Sequence, residues 1–188
     1  MIHGEHSAEV PHAIQKERLD LLLDRAIAAK RSDLVAELLK QGADPNGGHP
    51  FNTDKVKPLH KAVRDGDLDM VKSLLSAGAN AHVFCANGYD PLRYWLSGIA
   101  NGGEPIMEVG ALLIEAGVDD NATAIGQHDR GITIPVPGVF ISTRQWARSN
   151  GVDGILDRAH DIARSRRVHD AIEDATPLVA NNLARRSL

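Results

Sequence analysis

The sequence predicts an all-α solenoid, a helix-turn-helix unit used three to four times in succession with helical caps at both ends. Three observations predict it. Three similar phrases recur, LVAELLKQGADPN (34–46), MVKSLLSAGANAH (70–82) and VGALLIEAGVDDN (109–121), and repetition at this period marks stacked architectures. Each phrase is a short apolar helical pattern closed by a glycine, Gly42, Gly78 or Gly117, spaced 36 and then 39 residues apart. Only 4% of residues are aromatic while 43% are hydrophobic, so the core must be mostly Ala, Leu, Val and Ile. With 188 residues, a chain can bury about two-thirds of its surface and needs no disulfide staple.

The elements follow in order. From Pro11 to about Lys30, apolar residues fall at helical spacing, Ile14, Leu19, Leu22 and Leu23. The leucine pairs Leu38/Leu39 and Leu74/Leu75, and Leu113/Ile114, precede the three glycines at matching places. This is the helix-end signal of a residue free to turn left-handed. Upstream of the second phrase stands KPLHKAVRDGDLDMVKSLL (57–75). Pro58 suits a first helical turn, where its missing N–H is not needed. Ala62 and Val63 give a close-packing face, and Asp65-Gly66-Asp67 breaks the chain between two short helices. The third copy carries about six extra residues within SGIANGGE (97–104), expected to lengthen the turn between its helices. Between Gly117 and Ser142 lie about thirteen residues beyond the regular spacing. Pro135 and Pro137 in that insertion forbid a helix and suit an extended edge segment or a long finger. A last pattern, Ile155, Ala159, Ile162, Ala163, Val168, Ala171 and Ile172, runs to about Ala175, and Pro177 is expected to stop it.

Residues 57–80 resemble an ankyrin repeat, matching the T-P-L-H-x-A pattern with Lys57 in the Thr place. In the first copy Leu23-Asp24-Arg25-Ala26 stands where PLHxA is expected. In the third, Asp90-Pro91-Leu92-Arg93 matches the opening, but Trp95 replaces the small Ala and is expected to pack against the 97–104 insertion. A fourth, degenerate copy is STRQWARSNGVDGIL (142–156). The resemblance covers roughly residues 20–160 and implies this organisation: 1–16 a mobile or capping N-terminus, 17–160 the repeat domain and 161–188 a capping helix and tail. The repeats fall at about 20–52, 53–86, 87–121 and 122–160.

The resemblance also implies a function, binding another protein without catalysis, through fingers and inner helices that line a concave face. The residue before the small Ala position points into that groove, which selects Arg25, Lys61, Tyr94 and Trp146; one turn further come Arg64 and Ser149. Trp146 either anchors a partner or packs under the long insertion. His60 is expected to tie neighbouring loops, as the family's histidine does. No Lys or Arg occurs between Arg93 and Arg130, an interval that holds Glu104, Glu108, Glu115, Asp119, Asp120 and Asp129. It is either a solvated face or a docking surface for a basic partner. A stand-alone inhibitor or immunity protein covering a basic cleft is the first reading, and a scaffold or adaptor joining two partners is the alternative.

Other classes have less behind them. There is no G-x-S-x-G turn and no phosphate-cradling glycine loop. His82 and Cys85 are too few for a zinc site, and neither His3 with His6 nor His160 with His169 makes a ligand set. A small enzyme would have to work through His82, Cys85 or His128 on the fingers. No cofactor, metal, nucleic acid or membrane is expected: the net charge is −4 and no apolar stretch is long enough to span a bilayer. One cysteine and the lack of a secretory pattern predict a cytoplasmic protein. Monomer and dimer stay open.

Overall fold

The computed structural model describes residues 12–47, 56–86, 88–121 and 141–186, with the backbone alone for 12–15 and 175–186. Among the described residues there are eight helices and no strand: α1 (His12–Ala28), α2 (Ser32–Lys40), α3 (Pro58–Asp65), α4 (Leu68–Ser76), α5 (Pro91–Ala100), α6 (Met107–Glu115), α7 (Thr143–Ser149) and α8 (Asp153–Arg186). The odd-numbered helices stack side by side as an inner layer, and the even-numbered ones form an outer layer. The architecture is an all-α ankyrin-type solenoid. Its core is a continuous seam between the layers, running from Leu23, Ile27 and Val35 through Leu59, Val71 and Leu74 to Leu92, Leu96, Leu113, Leu156 and Ala159.

The repeated phrases are legible in hydrogen bonds. At the end of α2 the Gly42 N–H donates to Leu39 O at 3.1 Å and the Ala43 N–H to Leu38 O at 3.0 Å. The same two bonds recur at Gly78 with Ala79 and at Gly117 with Val118, received by Leu75 and Leu74 and by Ile114 and Leu113. The paired residues before each glycine thus supply the carbonyls that close a Schellman end, and the glycines sit at φ of 97°, 88° and 90°. The inner helices end the same way, with Gly66 at φ 67° after α3. After α1 that left-handed place is taken by Lys30, at φ 54°. Helix starts are capped by Asp67, Asp90 and Ser142, which accept from the N–H groups of Met70, Arg93 and Gln145.

Several expectations are corrected. The extra residues of the third copy do not all enter the turn. α5 is 10 residues long against 8 for α3, so two of them prolong the helix and the rest form the turn through Gly102. Trp95, 2% exposed, reaches the outer layer: a Cβ on Gly110 of α6 would lie 2.5 Å from its ring and 2.9 Å from Ala159 Cβ. In the preceding repeats the same two positions are Ala26 with Val35 and Ala62 with Val71. The third repeat therefore exchanges small-inside, large-outside for the reverse, and the ring fills the space left by the missing side chain.

Neither cap is a separate helix. The N-terminal helical pattern and the first inner helix are one element, α1, already helical at His12. The outer helix of the fourth repeat and the C-terminal cap are likewise one element, α8, of 34 residues, or about 51 Å. The expected boundary after residue 160 falls inside it, and Pro177 does not stop it. A proline within a helix removes one amide donor and crowds the carbonyl four residues back, here that of the exposed Glu173, which water can serve. α8 stays against α6 past the last repeat: Arg167 Nη2 donates to Ile114 O at 3.0 Å and Arg166 lies 3.6 Å from Glu115. Both arginines thus neutralise the C-terminal end of α6. Of the long insertion, 122–140 lies outside the described residues. Its ends meet where the Arg144 N–H donates to Asp120 O at 2.9 Å.

Candidate functional site

The register that puts Ala26, Ala62, Trp95 and Ala147 in the core sets the residue before each on the other side of the inner layer. Arg25 is exposed, and Lys61, Tyr94 and Trp146 are half-buried. One turn on stand Ala28, Arg64, Ser97 and Ser149, all at least partly exposed. Because inner helices are direct neighbours, these eight residues form one row. Lys61 Nζ pairs with Asp24 of the preceding helix. Arg64 Nε lies 3.5 Å from Asp65, which also faces Lys30 at 3.9 Å. The Ser149 hydroxyl donates to Gln145 O at 3.1 Å. The row is thus cross-braced between helices, with Arg25 and the guanidinium of Arg64 most open to solvent.

Tyr94 and Trp146 are each held by the residue at the histidine position of the preceding repeat. His60, 0% exposed, is the T-P-L-H histidine, and its bonds fix its tautomer. The Lys57 N–H, which can only donate, lies 3.2 Å from Nδ1; Tyr89 O, which can only accept, lies 3.1 Å from Nε2. His60 is therefore neutral with the proton on Nε2, and burial drives its pKa down to about 4. It ties its own helix start to the next finger, as the family resemblance implied. Its ring meets Tyr94 edge-on, with centroids 5.3 Å apart.

Arg93 occupies the histidine's place one repeat later and does the same work with different chemistry. Arg93 Nη1 donates to Ile141 O at 3.3 Å, bridging to the next finger. Its guanidinium sits 4.5 Å from the Tyr89 ring centroid and 5.4 Å from that of Trp146. Only 4% of the residue is exposed and Nε has no hydrogen-bond partner among the described residues, and burial lowers its pKa from the usual arginine value. The adjoining Asp90 carboxyl is pushed up by burial and receives the Arg93 N–H and the Thr143 hydroxyl. Sequence reasoning passed over Arg93. The available signal was an arginine standing at the histidine position of a matched PLH opening. Trp146 packs on Tyr89 and Arg93 and is half-buried in the row, while the insertion under which it was otherwise expected to pack lies outside the described residues.

Among the described residues the acids of the interval have different surroundings. Asp120 is buried at 4% exposure. It receives Arg144 Nε at 2.7 Å, and it contacts His160 Nε2 and Asn121 Nδ2, each at 3.2 Å. Arg144 also bonds Asp157 at 2.8 Å, which raises its own pKa. Asp120 is therefore corrected from a docking residue to a clamp joining the third finger to α7 and α8. Asp119 is exposed, and its carboxylate accepts the Asn121 N–H at 2.9 Å, just as Asp44 and Asn80 accept from Asn46 and His82. Glu104 and Glu108 are exposed in the α5–α6 turn and the first turn of α6, away from the inner row. Asp129 and His128 lie outside the described residues. Cys85 is buried within its finger, where its N–H donates to Tyr89 O at 3.0 Å. His82 is exposed, its ring 3.8 Å from where a Cβ on Gly117 would stand. Among the described residues no group of three or more His, Cys, Asp or Glu side chains could hold a metal ion, and no helix is long and apolar enough to cross a membrane.

Comparison with known proteins agrees with this geometry. A stretch of 64 residues is 41% identical to the ankyrin repeat protein FPV230 of fowlpox virus (strain NVSL), covering 34% of this chain and 33% of that protein. The chain thus spans about a third of the length of that relative. Residues 23–124, more than half of the chain, match the family of ankyrin repeats (3 copies). Ankyrin repeats generally mediate protein–protein interaction, typically without catalysis, on extended concave surfaces made by the stack. The chain belongs to the ankyrin-repeat family.

Proposed function

We propose that this protein is a non-catalytic binding module that takes one protein partner along the inner row Arg25, Lys61, Arg64, Tyr94, Trp146 and Ser149, and that it acts by covering that partner. The observation that carries the reading is the row itself. It presents arginine, tyrosine and tryptophan, the residue types that anchor interfaces. It is also braced before any partner arrives, by the Lys61–Asp24 pair and the His60–Tyr94 and Arg93–Trp146 ring contacts. Preorganisation of this kind removes ordering costs from binding. A rigid surface that occupies a partner's face blocks it, which favours an inhibitor over a scaffold that would need a second docking face.

The test begins with a partner captured from native lysate and purified. Arg64→Glu and Trp146→Ala are then compared with the unaltered protein by isothermal titration calorimetry. Each substitution should weaken binding by about 2 kcal/mol, roughly thirtyfold, if the row is the interface. Unchanged affinity in both rejects the row. Titrating the partner's own activity then separates the two modes of action. Loss complete at one equivalent supports inhibition, and full activity at saturation supports a scaffold.

A further inference from the structure

We propose that the segment this row accepts is an extended acidic peptide of roughly ten residues, with carboxylates over α1 and α3 and an aromatic or large apolar side chain over α5 and α7. This rests on the reading of the inner row as the docking face. The eight positions of the row hold Arg25, Ala28, Lys61, Arg64, Tyr94, Ser97, Trp146 and Ser149. Three are cations, two are aromatic and none is an acid. The chain as a whole carries a net charge of −4, so a row without acids is a local feature opposite in sign to the molecule. The two carboxylates that border it are already engaged, Asp24 by Lys61 and Asp65 by Arg64 and Lys30. Arg64 thus shares one carboxylate with Lys30, and Arg25 is the cation of the row that these pairs do not engage.

The row is also divided. Its cations lie on α1 and α3; its aromatic and hydroxyl groups lie on α5 and α7. Neighbouring helices are spaced about 8–10 Å apart, so the step from Arg64 to Trp146 spans two spacings, roughly 16–20 Å. An extended chain covers that in about five or six residues at ~3.3 Å each. From Arg25 the distance is one spacing more, which sets the overall length near ten residues. A polynucleotide binder usually carries a clear basic excess, whereas this chain has a net charge of −4 and only three cations on the row. An acidic peptide is therefore favoured over a polynucleotide.

The test is selection of a random dodecapeptide library displayed on phage against the immobilised full chain. Enriched peptides are resynthesised and titrated by fluorescence anisotropy against the unaltered protein, Arg25→Glu/Arg64→Glu, and Tyr94→Ala/Trp146→Ala, each checked for helix content. The expected result is enrichment of Asp and Glu with an aromatic or large apolar residue about five positions away. Binding should then weaken about tenfold or more in Arg25→Glu/Arg64→Glu. Peptides without an acidic bias whose binding is lost in Tyr94→Ala/Trp146→Ala overturn this inference while leaving the concave-face reading standing. Acidic peptides indifferent to both double variants overturn the two together. Failure to enrich any peptide rejects a linear segment, and displacement of the peptides by a tighter-binding single-stranded oligothymidylate makes the row a polynucleotide site instead.

Discussion

Truncating Trp95 to alanine should cost about 3 kcal/mol, and a second substitution on another helix, Gly110→Val, should return a large part of it. Trp95 is 2% exposed, and burying nothing in its place leaves a cavity whose usual cost for Trp or Phe to Ala is about 3–5 kcal/mol. The lower end applies because the indole N–H is buried with no acceptor among the described residues, so truncation also removes an unpaired donor worth about 1–3 kcal/mol. Gly110→Val alone drives a side chain into the ring, its first carbon 2.5 Å from Trp95 Cη2 and Cζ3. Both the ring and Ala159 are enclosed, so the ordinary overpacking cost of about 1–3 kcal/mol is a lower bound. The double substitution restores the pairs found in the first two repeats, Ala26 with Val35 and Ala62 with Val71. Its destabilisation should fall short of the sum of the single ones by at least ~2 kcal/mol. Urea unfolding followed by far-ultraviolet circular dichroism measures all four proteins. Additive effects within ~0.5 kcal/mol, the behaviour of independent sites, would refute the claim that the ring fills Gly110's missing volume.

Three further outcomes follow from named residues. Lys30→Gly relieves a left-handed non-glycine residue at φ 54°, costing about 1–2 kcal/mol, and gives up an exposed pair with Asp65 and some unfolded-state order. The net gain should be about 0.5–1 kcal/mol, a rise of roughly 1–4 °C in melting temperature. Asp67→Ala removes the cap on the Met70 N–H and should cost about 1 kcal/mol in the same assay. Acid should weaken the fold through His60. Its folded pKa, about 4, lies below its ordinary 6.5, so the unfolded chain binds a proton the folded one refuses. Stability is then flat above pH 6.5, falls by about 3 kcal/mol as pH drops to 4, and levels off below. Asp90, with its carboxyl pushed up, works in the opposite sense at the acid end. Denaturant midpoints between pH 7 and 4 measure the balance. His60→Gln should flatten the curve, and an unflattened curve would show that another group governs it.

What could be read in advance was what depends on nearest neighbours in the chain. Gly42, Gly78 and Gly117 announced helix ends because a left-handed turn has few occupants, and the carbonyls that close those ends belong to the residue pairs before them. Pro58 announced a helix start, and Asp65-Gly66-Asp67 a break between two helices, for equally local reasons. What stayed hidden depends on partners far off in sequence. Asp120 looked like one more exposed acid until Arg144 and His160 were brought around it from other helices. Trp95 was assigned to its own insertion because that was the nearest irregularity, whereas the space it fills belongs to Gly110. Arg93 went unnoticed because a buried guanidinium is improbable without Tyr89 and Trp146 to stack on, and the matched opening gave only its position. Pro177 lies within α8 rather than ending it, four residues after the exposed Glu173. The row of the candidate site was legible as positions; its bracing by Asp24, His60 and Arg93 was not.

The central claim is that a partner lies on the inner helices, and amide hydrogen exchange of the protein alone and with its purified partner tests it most directly. Binding on the row predicts added protection concentrated in α3, α5 and α7 and in the second half of α1, with α2, α4 and α6 exchanging as before. Protection confined to α2, α4 and α6, or to the outer side of α8, would contradict the account.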